Sequence, residues 1–358
     1  MRTYHKKVNT VKVSCGDEEN PLLLQAAVRK CGDNSLFFCW TGGGSREPDN
    51  ANVTKYSRSF DNGLTWTPER ILFQHPVRGM FTPQLYVDGN SLYAFPNTYS
   101  PDTGYALDLQ SYWSVSKDNG KTFSSLYNLA GCLTCVQVRS MIKVKDKLIA
   151  AVSWHENDGE KWAPPFGDKD CIVAGKIIDP SPSLPDWHRQ ICTEYCGIII
   201  NEGDPFTTGS WRLFGRIGKR KDLSFCEPQL VDLSDGTLVM LLRIGKPWIY
   251  ESRSYDGGIS WTDPVPTEIP SAMSQARIMK DSGGNIYLIH NPNPARRSPL
   301  ELWISHDDML SWREKIELVD DSETWCCYPE GFIDEERGVI AFSWDDRRNV
   351  YYSEFTGL

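Results

Sequence analysis

An eight-residue box, Ser-x-Asp-x-Gly-x-Thr-Trp, recurs along the chain and limits its fold more than any other feature. Good copies occupy residues 59–66, 116–123 and 254–261, and 305–312 is a degraded fourth. Within each copy the Asp accepts backbone N–H bonds in a tight turn, and the Gly supplies a positive φ. The aromatic residue leaves the turn to pack against neighbouring strands. A single DxG turn is common, but recurrence marks a repeated β unit.

Between the boxes lies a second repeat, two apolar runs flanking a polar turn, at residues 25–40, 82–97, 139–154, 227–243, 275–291 and 328–344. Such runs read as hairpins. Their spacing is about 50 to 60 residues except for one longer interval, and helical periodicity is nearly absent. The long interval holds a loop-rich insertion at about 155–225, with Pro164-Pro165 and Pro180-Ser181-Pro182. Six units of this kind predict an all-β fold, a six-bladed β-propeller with the boxes as hairpins, formed by residues 1–358 as one domain. A two-sheet sandwich also buries such strands, but it needs no recurring box at near-constant period.

Aligning the hairpins on their turns places Gln25, Thr82, Arg139, Glu227, Gln275 and Tyr328 at the start of the first strand. All six are polar. Innermost strands surround a propeller's axis, so residues entering them at one end converge on a central pocket. The second strands end at Thr41, Asn97, Ser153, Arg243, Asn291 and Trp344, followed by Asp345, which are expected to rim that pocket. Trp154, Trp162, Trp248 and Trp325 are candidate stacking platforms for a sugar face.

Composition narrows the partners. With 47 acidic and 38 basic residues the net charge is −9, which gives no global attraction to phosphates, so nucleic acid is not an expected partner. No apolar run approaches the roughly 20 residues a membrane span needs, so no membrane partner is expected either. Eleven cysteines, an odd number, suggest reduced thiols in a cytosol. After Met1 no export signal is visible, which points to a cytoplasmic location, with a trimmed secretion signal as the alternative.

Metal and cofactor signals are weak. The six histidines form no HExxH or HxH, and His155-Glu156 reads as a surface pair. Cys132 and Cys135 form a CxxC for which Cys192 and Cys196 make a poor second pair. The Gly42-Gly43-Gly44 run lacks the GK[ST] ending of a phosphate loop, so neither a metal nor a cofactor is expected.

Three stretches resemble the sialidase (neuraminidase) superfamily, whose members are six-bladed propellers with these boxes. They are Cys226-Glu227-Pro228-Gln229-Leu230 leading to Leu242-Arg243, then Asn293-Pro294-Ala295-Arg296-Arg297-Ser298-Pro299-Leu300, then Cys327-Tyr328-Pro329 leading to Trp344-Asp345. The resemblance implies Tyr328 as nucleophile, Glu227 as its base, and Asp49 or Glu47 as acid/base. It also implies Arg243 and either Arg297 or Arg296 as ligands of a substrate carboxylate, with Asp345 as a supporting acid. The family's first arginine has no counterpart, because Glu19-Asn20-Pro21 or Leu24-Gln25 stands there. Arg139, from another blade, is the candidate replacement.

Chemically the set is coherent. A phenol with a pKa near 10 attacks at neutral pH only when a carboxylate removes its proton. It also avoids the charge repulsion a carboxylate nucleophile would meet from an anionic sugar. The expectation is an exo-acting glycoside hydrolase with a retaining mechanism, releasing a terminal sialic acid or related sugar. The alternatives are a propeller glycosidase or polysaccharide lyase for a different sugar, and a noncatalytic carbohydrate-binding propeller.

Overall fold

A computed structural model describes residues 1–47, 49–99, 109–128, 136–157, 192–201, 211–218 and 225–358. The chain forms six antiparallel sheets of four or five strands arranged as a β-propeller, and no helix occurs among the described residues. Blade 1 runs outward through Leu23–Lys30, Leu36–Gly42, Val53–Ser59 and Arg70–Phe73. Blades 2 to 5 begin with the inner strands Gly79–Asp88, Gln137–Val144, Phe225–Asp232 and Arg277–Lys280. Blade 6 contains Cys327–Asp334, Val339–Asp345 and Asn349–Phe355, and its outermost strand is the early segment Val8–Cys15. That segment pairs antiparallel with Asn349–Phe355 and closes the ring.

Strand periodicity explains why the sheets stack radially. Successive side chains of a strand face opposite ways. In Leu238–Ile244 of blade 4, Leu238, Met240 and Leu242 enter the core shared with blade 3, whereas Val239 and Leu241 enter the core shared with blade 5. Both faces of the strand are therefore buried, and neither neighbour is dispensable. Truncating such a residue, for example Met240→Ala, costs about 2–5 kcal/mol. Six cores of this kind separate the six blades.

The boxes fold as their residue types require. Asp61 accepts the Thr65 backbone N–H at 2.9 Å and its hydroxyl at 2.5 Å, while Ser59 Oγ accepts the Gly63 N–H at 2.8 Å. Gly63 has φ +83, and a β-carbon there would collide with the Tyr352 ring of blade 6. The degraded copy keeps the same bonds through Asp307 and Ser311, with Met309 held at φ 65 where the others have Gly.

The stretch from about 155 to 225 differs from a plain loop insertion. It supplies two strands of blade 3, Cys192–Asn201 and Trp211–Ile217, which extend the sheet outward. Its other segments, with Trp162 and both proline clusters, lie outside the described residues, as do Cys132 and Cys135.

Candidate active site

Each of the six inner strands begins within three residues of its aligned polar position. In blades 1, 2, 3, 4 and 6 the pairing with the second strand slips there, around Gln25, Thr82, Arg139, Glu227 and Tyr328. A β-bulge inserts an extra residue and re-aims a side chain. Gln25, Glu227 and Tyr328 also hold left-handed backbone, with φ of 53, 46 and 54. Non-glycine residues adopt this conformation at a cost, and such strain clusters at functional sites. Gln25, Gln84, Arg139, Gln275, Tyr328 and Glu330 line the resulting axial cavity. The side chain of Thr82 lies outside the described residues.

Arg243 ties the centre together. Its Nη1 donates to Glu227 Oε2 at 2.6 Å and to the Tyr328 hydroxyl at 3.3 Å. Burial opposes ionisation of Glu227, but Arg243 and Arg139 more than offset it and hold the carboxyl below its usual range. Burial, reinforced by the Glu227 charge, raises the Tyr328 phenol against the pull of Arg243 and Arg297. At neutral pH the pair is thus a neutral phenol beside a carboxylate, the state in which a base can take its proton. The Arg297 guanidinium lies 5.3 Å from the Tyr328 ring centroid.

The loop after the first hairpin sends Glu47 inward. Gln25 Nε2 donates to Glu47 Oε1 at 3.3 Å. Burial pushes the Glu47 carboxyl up, Glu227 adds to this, and Arg347, Arg139 and Arg297 oppose it. Asp49 is tied to its own turn, accepting the Ala51 N–H at 2.9 Å and facing Arg46 Nε at 3.7 Å. Of the two acid/base candidates, Glu47 is the one bonded to a residue that lines the pocket, Gln25.

Asp345 is buried beneath the site, where its oxygens accept backbone N–H bonds from Gln25 at 2.8 Å and Arg347 at 3.0 Å. Burial raises its carboxyl to about 7 despite those bonds. It fixes the backbone of the residue standing where an arginine was sought, rather than an arginine side chain. Arg139, the candidate replacement, lines the axial cavity and is engaged with its neighbours there. Its guanidinium donates to Gln137 at 2.6 Å and Gln275 at 3.4 Å, and faces Glu227 at 3.7 Å.

Several expected pocket residues are structural. Arg296 pairs with Asp320 at 2.8 Å, on the strand Glu314–Asp321 of blade 5, so Arg297 is the arginine of that pair that faces Tyr328. Trp344 follows Ile340 and Phe342 on the face turned to the core between blades 5 and 6, stacked on Tyr351 at 4.1 Å. Trp154 is likewise core. Asn97 and Asn291 are buried and bridge to the next blade, donating to the carbonyls of Val136 and Cys326 at 3.0 and 2.8 Å. Thr41 and Ser153 are buried as well. Of the strand-end residues, Arg243 contacts Glu227 and Tyr328. Trp248 and Trp325 are both partly exposed, and Trp325 carries the Arg297 guanidinium 5.3 Å from its ring centroid.

Sequence reasoning missed two groups. One step along the inner strands, Glu330 Oε1 meets Arg29 Nη2 at 2.5 Å and Arg277 Nε at 3.2 Å, all buried. With its amide turned to suit its neighbours, Gln84 accepts from Arg29 at 2.9 Å and donates to the Arg139 carbonyl at 3.1 Å. Burial and Arg29 lower Arg277 to about 10, although Glu330 opposes this. The signal was available, because Gln275 with Arg277 and Tyr328 with Glu330 keep the period of two. Arg347, two residues past Asp345, had no such mark. Among the described residues no cluster of three or more His, Cys, Asp or Glu is placed to hold a metal.

The BNR repeat-like domain family matches residues 34–341. Among solved structures the fold is similar to a protein of unknown function from Dyadobacter fermentans DSM 18053, with a TM-score of 0.72 and 15% identity over 98% of this chain and 99% of that one. It is also similar to the Hadza microbial sialidase Hz136, at TM-score 0.72 and 16% identity over 96% of this chain and 68% of that one. Trypanosoma rangeli sialidase in complex with the inhibitor DANA gives 0.69 and 14% identity, covering 98% of this chain and 60% of that one. The chain thus spans about three fifths of that sialidase, and at these identities the likeness is one of fold. No curated protein matches the sequence.

Proposed function

The chain belongs to the BNR repeat-like domain family, and from that membership and the axial pocket we propose that it is an exo-acting, retaining glycoside hydrolase for a terminal acidic sugar. The observation that carries the reading is the shared nitrogen of Arg243, which brings the Glu227 carboxylate to the hydroxyl of Tyr328, a residue lining that pocket. Opposite shifts of two carboxyls, Glu227 down and Glu47 up, are those expected of a base and an acid.

In the first step the Tyr328 oxygen bonds to the anomeric carbon as the glycosidic bond breaks. Glu227 takes the phenolic proton, directly or through one water, and Glu47 protonates the departing oxygen. In the second step Glu47 takes a proton from water, the water oxygen bonds to the anomeric carbon, and Tyr328 leaves with its proton restored by Glu227. Inversion twice gives net retention. Arg297 and the surplus of guanidiniums over carboxylates in and beneath the pocket favour an anionic substrate.

Gln25 supports a second reading, a glycosidase or lyase acting on another sugar, because it stands where the resemblance calls for an arginine. Paired aryl glycosides of sialic acid and of neutral hexoses separate the two. Hydrolysis of the acidic one, with the α-anomer appearing first by NMR from an α-linked substrate, fits the proposal. Hydrolysis confined to neutral glycosides supports the second reading, and an inverted first product rules out a tyrosyl intermediate.

A further inference from the structure

One contact decides which oxygen of Glu47 can act as an acid. Among the described residues the Glu47 carboxyl accepts one hydrogen bond, from Gln25 Nε2 to Oε1 at 3.3 Å. The charged groups around it, Arg347, Arg139, Arg297 and Glu227, act through space without a direct ion pair. The last torsion of a glutamate is broad and roughly two-fold, so an untethered carboxyl carries its proton on either oxygen. The amide of Gln25 removes that freedom. A neutral carboxyl accepts through its carbonyl oxygen and donates through its hydroxyl, so an N–H aimed at Oε1 leaves the proton on Oε2. Once that proton has gone, Oε1 accepts the same N–H as part of a carboxylate.

Gln25 is itself fixed in place. It sits at the bulge of the inner strand of blade 1 with φ 53, and its own N–H donates to Asp345 Oδ2 at 2.8 Å. Asp345 is buried, and its other oxygen accepts the Arg347 N–H at 3.0 Å and the Cys327 thiol at 3.6 Å. Cys327 immediately precedes Tyr328. One buried carboxyl thus anchors both the residue that holds Glu47 and the neighbour of the proposed nucleophile.

We propose that Gln25 is a positioning residue for Glu47: its amide holds Oε1 in both protonation states and leaves Oε2 to give and take the proton. The role of an arginine in gripping substrate is thereby exchanged for that of an amide in orienting the acid. The assignment deepens the hydrolase reading and rests on it for the reaction, but the contact is also a claim about Glu47 that needs no turnover.

The test uses the full chain. Gln25→Met keeps the side-chain length and removes the donor, and Gln25→Asn, whose short side chain tolerates the left-handed backbone, falls short of Glu47 and repeats the measurement. Loss of the bond is expected to lower kcat about 10-fold on alkyl sialosides and less than about 2-fold on nitrophenyl sialosides, which need no proton. In the Glu47→Gln background the same substitutions should cost nothing further, because Gln25 acts through the residue already removed. Carbon-13 NMR of labelled glutamate carboxyls reads the contact without substrate, with the Glu47 resonance identified by its loss in Glu47→Gln. An N–H donor favours the ionised carboxyl, so Gln25→Met should move the Glu47 titration to higher pH. An unmoved titration, equal losses for both leaving groups, or an undiminished loss in the Glu47→Gln background would overturn the assignment. A moved titration in a protein that turns over no glycoside would uphold the contact and sink the hydrolase reading.

Discussion

Glu227 and Tyr328 meet at a single nitrogen, Arg243 Nη1, which lies 2.6 Å from the carboxylate and 3.3 Å from the phenol. Arg243 therefore both favours ionised Glu227 and fixes its distance from the Tyr328 hydroxyl. An arginine that only gripped substrate would affect affinity alone. Arg243→Ala is expected to lower kcat at least 10-fold as well as raise KM, with Arg243→Lys intermediate. A raised KM at unchanged kcat, in steady-state kinetics on a sialoside, would reduce Arg243 to a substrate ligand.

Glu47 is expected to carry the acid role. Glu47→Gln should cost about 10²- to 10⁴-fold with alkyl leaving groups, which need a proton, and far less with nitrophenyl groups, which do not. Because the Glu47 carboxyl is raised, its protonated form persists to higher pH and is expected to set the alkaline limb of kcat/KM. That limb should flatten in the variant. Asp49→Asn should leave both leaving-group series near the parent rates, and a larger loss there than at Glu47 would reverse the assignment.

Stability should respond to pH with opposite signs at two kinds of aspartate. The Thr122 hydroxyl and N–H lower Asp118 to about 2, and the corresponding serine lowers Asp256 and Asp307 equally. A carboxyl depressed by folding contributes stability that is present above its unfolded value near 4 and lost as pH falls toward 2. Asp345, raised to about 7, behaves inversely. Its folded form favours the proton, so stability declines as pH climbs from about 4 through 7. Urea midpoints at pH 2.5, 5 and 8 check both: Asp118→Asn should lose its penalty at the lowest pH, and Asp345→Asn should gain relative to the parent protein at the highest. The same trend for both variants would contradict the assignments.

Gly63 seals blade 1 against blade 6. Alanine there meets both φ +83 and the Tyr352 ring, so Gly63→Ala should lose about 2–4 kcal/mol in urea unfolding, the left-handed cost plus overpacking. At Gly236, φ +87 with open space around it, the same substitution should cost only the conformational part, about 1–2 kcal/mol. Equal losses at the two sites would remove the packing argument.

The propeller was legible because its cause is local and repeated. Box turns need Asp and Gly at fixed offsets, and a period of two feeds both inter-blade cores. The bulge residues Gln25, Glu227 and Tyr328 were legible for a related reason, being polar where the inner strand turns apolar. Strand ends misled: Asn97, Asn291 and Trp344 look like a rim, but the first two hold the next blade's backbone and the third continues the apolar face of Ile340 and Phe342. Their polarity or size reflects contacts across blades, which single-strand patterns do not encode. Arg347 escaped because it sits in a turn, where no periodicity says which way a side chain faces.

The most direct measurement is covalent trapping. A 3-fluorinated sialosyl fluoride leaves readily, while its ring fluorine slows both oxocarbenium-like steps, so a glycosyl-enzyme should accumulate. Digestion and mass spectrometry are expected to find one sugar on the peptide containing Tyr328, and none in Tyr328→Phe. A label on Glu227 or Glu47, or turnover that proceeds with no label on Tyr328, would contradict the account.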